Sequence, residues 1–252
     1  MAAKRNVSDK AFRRLLEIED LHVNYGKSRV IHGISLEVSQ GEKLVIMGRN
    51  GMGKTTLVKS IVGVLPVVGG EIFFGNETIA KRSSSWRSKK GIAYVPQGRE
   101  IIPDFTVKEN LELGAIAHIS ESGQGKYTME QRMETVFTYF PAIKEHLHRK
   151  GGVLSGGQQQ QLAIGRALMS RPVMILLDEP TDGIQPNVVA DLADTLNQIR
   201  KDLHVTIIIV EQNLKFAFKI AERYIIIQKG MIVSRGQVSE LTDSLISKYL
   251  SV

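Results

Sequence analysis

The sequence predicts an α/β fold in which a largely parallel sheet is covered on both faces, with a β-rich N-terminal region and a helical insertion. Three observations predict it. After position 170, short strands that are apolar along their whole length alternate with helices, the pattern of a parallel sheet buried on both sides. Between 16 and 95, β-rich segments recur between turn residues, with one helix among them. Between 107 and 169 the pattern is mostly helical.

In chain order, strands are expected over 16–23, 34–38 and 43–47, then a helix over 54–62 and strands over 71–74 and 91–95. The basic stretch 81–90 reads as a solvated loop or short helix. Helices follow over 107–118, 129–139 and 156–169, with a polar loop around 121–126. The last third reads as a strand over 173–177, a helix after Pro186, a strand over 205–210, a helix from Asn213, and strands over 224–227 and 231–233. No Pro-, Gly- or Ser-rich linker interrupts the chain. One domain is therefore expected over 16–252, with a helical subdomain at about 97–163, after a basic N-terminal extension over 1–15.

Composition excludes several classes. The longest apolar runs, such as 173–177, fall far short of the roughly 18 residues of a membrane span. With no cysteine there are no disulfides, thiolate metal sites or cysteine nucleophile. Residues 1–14 contain no apolar stretch of signal-peptide length, so a cytoplasmic location is expected. The 33 basic and 26 acidic residues leave a net charge of +7, which by itself fits nucleic acid, phosphate ligands or an anionic membrane face. Heptads, tandem repeats and an aromatic-basic platform for RNA are absent, so nucleic acid is not an expected partner.

The strongest local signal is Gly48-Arg49-Asn50-Gly51-Met52-Gly53-Lys54-Thr55-Thr56, placed between a strand and a helix. Its glycines, Gly51 and Gly53 among them, let backbone N–H groups converge on phosphate oxygens at the positive end of the helix. Lys54 would reach the β and γ phosphates of a nucleotide such as ATP, and the Thr55 hydroxyl would bind Mg2+. Asp178 and Glu179 end the apolar strand 173–177, where open α/β sheets place ligand-contacting residues. Asp178 would help to hold Mg2+, and Glu179 would polarise a water in line with the γ phosphate.

A phosphate loop specifies a nucleotide-binding class and nothing narrower. Leu154-Ser155-Gly156-Gly157-Gln158, before a helix and shortly ahead of the Asp178 strand, makes the chain from about Leu16 onward resemble the ATP-binding subunit of ABC transporters. The resemblance implies a P-loop ABC ATPase domain that binds ATP and Mg2+. It implies a second ATPase subunit, identical or not, facing this one head to tail. Ser155, Gly156, Gly157 and Gln158 of each subunit then close on the γ phosphate held by the other. Read alone, Ser155 is an ordinary helix cap and the glycines an ordinary turn. The resemblance makes Tyr25 the aromatic residue that stacks on adenine, although by itself it reads equally as a packed surface tyrosine. It makes Gln97 a contact to Mg2+ that relays nucleotide state, and puts Asp182-Gly183-Ile184-Gln185-Pro186 at the subunit boundary.

Where most members of that family carry a histidine, this chain has Gln212, which can hydrogen-bond a γ phosphate but does not titrate. The alternative is that Gln212 caps the helix from Asn213. The strings over 95–101, 156–161 and 179–186 are similar to the urea and short-chain amide subgroup, with branched-chain amino acid importers as the alternative. A soluble ATPase of the iron-sulfur assembly type is a more distant reading. The expected partners are membrane permeases, docking near Gln97 and the segment after Pro103, and through them a substrate-binding protein. The expected location is the inner face of the membrane, peripherally. Ile101, Ile102 and Phe105 either form that docking surface or pack into the local core.

Overall fold

A computed structural model describes residues 14–119 and 127–250. The expected polar loop at 121–126 and all but the end of the basic extension lie outside the described residues. Arg14 and Leu15 belong instead to the first strand, β1 (Arg14–Tyr25), which turns through Gly26 and Lys27 into β2 (Ser28–Ser39). Both strands are longer than expected. Gly33 at φ +82° interrupts the alternation of β2 and hides its first half in the sequence. The pair Gly69-Gly70 conceals the start of β4 (Val67–Phe74) in the same way. At Gly70 the two backbones approach so closely that a Cβ would stand 2.2 Å from the Asp20 carbonyl oxygen. The glycines therefore mark an irregularity in the β1–β4 ladder, not a strand end. With β5 (Glu77–Thr78) these strands form an antiparallel sheet of order β2-β1-β4-β5.

The second sheet contains β3 (Lys43–Met47), β6 (Ile92–Val95), β7 (Met174–Asp178), β8 (Thr206–Val210), β9 (Arg223–Gln228) and β10 (Met231–Gln237). Its order is β10-β9-β3-β8-β7-β6, parallel throughout except for the β9–β10 hairpin. The helices are α1 (Lys54–Ile61), α2 (Ser84–Lys89), α3 (Val107–Ile119), α4 (Met129–Tyr139), α5 (Pro141–Lys144), α6 (Gly156–Leu168), α7 (Pro186–Leu203), α8 (Leu214–Ile220) and α9 (Asp243–Tyr249).

The continuously apolar strands serve two cores at once. Val45, Ile175, Leu177, Ile207 and Ile209 point to one face and pack with Leu111, Leu162, Leu196 and Phe216 of the helices. Their neighbours Leu44, Ile46, Leu176, Ile208 and Val210 point to the other, against Leu16, Ile18, Ile31, Leu57 and Val58. Each such side chain contributes about 1.5–3 kcal/mol by leaving water, so the strands are clamped from both sides and their C-terminal ends form a fixed platform.

The solvated reading of 81–90 needs one correction. Arg87 of α2 is fully buried, at 2% exposure. Its guanidinium donates to the carbonyl oxygens of Ser60 (2.6 Å) and Ile61 (2.7 Å) at the end of α1, and to those of Ala80 and Arg82 (3.0 Å each). The last carbonyls of α1 have no partner within the helix, and a buried donor is what they require. The rest of the stretch is exposed or half-buried, with Arg82 and Lys90 lying over the Trp86 ring at 5.0 and 4.9 Å.

Candidate active site

The loop between β3 and α1 curls because glycine alone fits it. At Gly48 (φ +147°) a Cβ would stand 2.3 Å from the Ile227 carbonyl oxygen of β9, and Gly51 and Gly53 also have positive φ. Gly53 is the N-cap of α1, no side chain caps it, and no acidic residue occupies the first turn. The N–H groups at this helix end are thus presented to an anion. Asn50, Gly51, Gly53, Lys54, Thr55 and Thr56 line a cleft of about 650 Å³ together with Tyr25, Gln97 and Glu179.

Lys54, only 4% exposed, donates through Nζ to the carbonyl oxygens of Gly48 (2.7 Å) and Arg49 (3.1 Å) and lies 3.8 Å from Glu179 Oε1. Burial lowers its pKa, opposed by the carboxylates of Glu179, Asp178 and Glu211. Asp178, at the end of β7, accepts from Thr55 Oγ1 and from the Tyr94 hydroxyl, each at 3.2 Å. Burial raises its pKa, while these two hydrogen bonds pull it down. Tyr94 is itself pushed above the ordinary phenol range, first by burial and then by Asp178, which keeps it a donor. Sequence reasoning missed Tyr94; the available signal was a lone polar group in the strand leading to Gln97.

The donor set suits Mg2+. The Thr55 hydroxyl and the Asp178 carboxylate are adjacent hard oxygens, and among the described residues no group of three His, Cys, Asp or Glu forms a cation cage. Phosphate and water would complete the shell, as is usual for this ion.

Glu179 has φ +47°, a strained conformation for a side chain of this kind, costing about 1 kcal/mol or more. Its Oε2 accepts from Gln97 Nε2 at 3.0 Å and its Oε1 from Gln212 Nε2 at 2.7 Å; Gln212 Nε2 also donates to Asn50 Oδ1 at 2.7 Å. The cap of α8 is Asn213, whose Oδ1 accepts from the Phe216 N–H at 3.2 Å. Gln212 itself is therefore not the cap of this helix. Glu211, also missed from sequence, is buried and accepts from Thr181 Oγ1 (2.9 Å) and from the N–H groups of Gln212 (2.8 Å) and Asn213 (2.9 Å). Burial raises its pKa against those hydrogen bonds. It fastens the segment after Glu179 to the segment carrying Gln212.

Tyr25 is 61% exposed at the end of β1 and is not packed into a core. Ile101 packs against the helical core, whereas Ile102 and Phe105 are 37% and 39% exposed, so local packing accounts for Ile101 alone. Ser155 caps α6 in a reciprocal box with Gln158: Ser155 Oγ accepts from Gln158 N at 3.3 Å, and Gln158 Oε1 accepts from Ser155 N at 3.0 Å. Gly156 packs closely, since a Cβ there would lie 3.0 Å from the Gly183 carbonyl oxygen. Ser155, Gly156, Gly157 and Gln158 do not line the cleft of Lys54 and Glu179 in their own chain.

The profile described as ABC transporter matches residues 31–182. The chain is 37% identical over 219 residues to the high-affinity branched-chain amino acid transport ATP-binding protein BraG of Pseudomonas aeruginosa, covering 87% of this chain and 91% of that one. It is 31% identical over 229 residues to the probable branched-chain amino acid transport ATP-binding protein LivF of Archaeoglobus fulgidus, covering 91% and 94%. A crystal structure of a nucleotide-free ATP-binding cassette from an ABC transporter is similar with a TM-score of 0.79 at 26% identity, covering 95% of this chain and 96% of that one.

Proposed function

We propose, from the premise that this chain belongs to the ABC transporter family of ATP-binding subunits, that it is one half of a paired ATPase driving import of branched-chain amino acids. The chain is an ATP hydrolase of that family, with its α/β P-loop fold. Lys54 and the N–H groups of the loop hold the β and γ phosphates, and Tyr25 stacks on adenine. Thr55 and Asp178, with Gln97 nearby, hold Mg2+, which when bound neutralises charge between the phosphates. Glu179 polarises the attacking water, and Gln212 and Asn50 orient the groups around it.

The observation that carries the pairing is the separation of Ser155–Gln158 from the cleft in their own chain. The exposed Ser155 hydroxyl and the half-buried start of α6 behind it can then close on the nucleotide of a facing subunit. Closure on ATP and reopening after hydrolysis would switch attached permeases between inward and outward access. The names of the relatives support branched-chain amino acids, the alternative among the sequence expectations, ahead of urea. No helix among the described residues is long and apolar enough to cross a membrane, in keeping with a subunit held peripherally at the inner face by permeases. Exposed Ile102 and Phe105, close in sequence to Gln97, offer those permeases an apolar contact.

The test is ATP hydrolysis by the whole transporter in vesicles, with its substrate-binding protein loaded with leucine, with urea, or empty. Leucine should stimulate and urea should not. Stimulation by urea alone would reverse the substrate assignment, and indifference to both would remove the importer reading.

Gln212 supplies a separate check. Gln212→Ala should slow hydrolysis more than it weakens ATP binding, because a hydrogen bond to a charged group is worth about 1.5–3 kcal/mol and part of it is felt as charge moves in the transition state. Gln212→His should add a pH dependence near ~6.5 that the wild type lacks. Steady-state rates between about pH 5.5 and 8.5, a window spanning the imidazole range, decide it; an alanine variant at the wild-type rate throughout makes Gln212 structural.

A further inference from the structure

Arg99 follows Gln97 by two residues and does not line the cleft, yet its guanidinium joins separate parts of the chain. Nη2 donates to the Asp182 carbonyl oxygen at 2.8 Å and, at the edge of hydrogen-bond range, to that of Gly183 at 3.5 Å; Nη1 donates to Gln159 Oε1 in α6 at 3.4 Å. The Arg99 carbonyl oxygen in turn accepts from Arg166 Nη2, also in α6, at 3.1 Å. The turn holding the side chain is strained, with Arg99 at φ +70° and Glu100 at φ +44°. A Cβ at Gly156 would stand 3.0 Å from the Gly183 carbonyl oxygen and 3.5 Å from Arg99 Nη2, so the start of α6, the 182–183 segment and the guanidinium meet at one point.

The connection closes on itself. Gln97 donates to Glu179, and Asp182 stands three residues beyond Glu179 with its N–H bonded to the Glu179 carbonyl oxygen at 3.1 Å. Arg99 thus clips the segment that carries Glu179 to the helix start that carries Ser155. The guanidinium presents its donors on separate nitrogens in a fixed planar fork, so it reaches acceptors on both segments, whereas a lysine has all three donors on one nitrogen at the end of a flexible stem.

We propose that Arg99 is a positioning residue for hydrolysis. It fixes the Glu179 segment relative to the Ser155 turn of the same subunit, so that ordering at one nucleotide site sets the geometry presented to the other. Arg99 lies outside the lining of the cleft that holds Lys54 and Glu179 and acts through those segments. The proposal rests on the roles proposed above for Glu179 and Ser155.

The test compares Arg99→Ala and Arg99→Lys in the whole transporter. ATP affinity should stay within about twofold of wild type while kcat falls about tenfold or more, the scale of a lost charge-assisted hydrogen bond. Arg99→Lys should recover only part of kcat. In a Glu179→Gln background, Arg99→Ala should raise about tenfold the ATP concentration that pairs the subunits. Wild-type kcat and pairing in Arg99→Ala would overturn the proposal; so would parallel losses of ATP affinity, kcat and melting temperature, which indicate general loosening. If Arg99→Ala does not fold, Gln159→Ala removes one acceptor and leaves the guanidinium. It should shift pairing in the same direction by less, and unchanged pairing would again overturn the proposal. A Glu179→Gln parent that hydrolyses ATP normally or never pairs defeats the site reading itself. A parent that pairs while Arg99→Ala changes nothing defeats only the proposal.

Discussion

Lys54→Ala should leave the chain folded and nearly unable to hold ATP. The ammonium is already in place, bonded to the Gly48 and Arg49 carbonyl oxygens, and its charge faces the carboxylates of Glu179, Asp178 and Glu211. Removing it takes away a cation aimed at the β and γ phosphates and also leaves those carboxylates without their nearest counter-charge. A triphosphate would then enter a cleft of its own sign. Truncating one partner of a buried charge pair costs about 2–5 kcal/mol, so ATP affinity should fall at least thirtyfold or so, and turnover with it. Calorimetric titration and a phosphate-release assay measure the two effects. Near-normal values in both would remove the phosphate-loop assignment.

Glu179→Gln should separate binding from chemistry. The amide keeps the shape of the side chain but loses the charge 3.8 Å from Lys54, so phosphates meet less repulsion and ATP affinity should hold or improve. A glutamine at this position has one acceptor oxygen where the carboxylate has two. It therefore cannot receive both Gln97 Nε2 and Gln212 Nε2 as Glu179 does. Loss of a positioned base lowers the rate by about 10²–10⁴-fold. Sizing with ATP and Mg2+ should show a trapped pair of subunits that does not form with ADP; undiminished hydrolysis would contradict the role of Glu179.

What the sequence disclosed follows from how local each feature is. The phosphate loop is legible because its spacing and glycine conformations belong to one short segment, and the start of α4 is legible because Thr128 and Gln131 cap it reciprocally within four residues. Asp178 and Glu179 were legible as the polar end of an apolar strand. Tyr94 was not, because its partner Asp178 is 84 residues away and a tyrosine in a strand usually signals packing. Glu211 escaped for the same reason, being tied to Thr181 across 30 residues. Gln212 was legible as a departure from a pattern, but that Asn213 and not Gln212 caps α8 needed the position of Asn213 Oδ1. Arg87 looked like one more charge in a polar run, since nothing nearby announces the carbonyls that await it 26 and 27 residues upstream. The strand order of the parallel sheet is likewise a relation among distant segments.

That buried arginine changes the far-field electrostatics of the cleft. An isolated α1 would present about half a positive charge at its phosphate end and about half a negative charge at the other, roughly 12 Å away. A distant anion would see two opposite poles whose effects largely cancel. Arg87 sits on the negative pole, bonded to the Ser60 and Ile61 carbonyl oxygens, and more than offsets it. The helix and its clip then behave as a monopole, with a potential that decays inversely with distance instead of with its square. That positive charge offsets part of the negative charge that Asp178, Glu179 and Glu211 bring to the cleft, an effect that added salt weakens as the Debye length shortens toward the length of the helix.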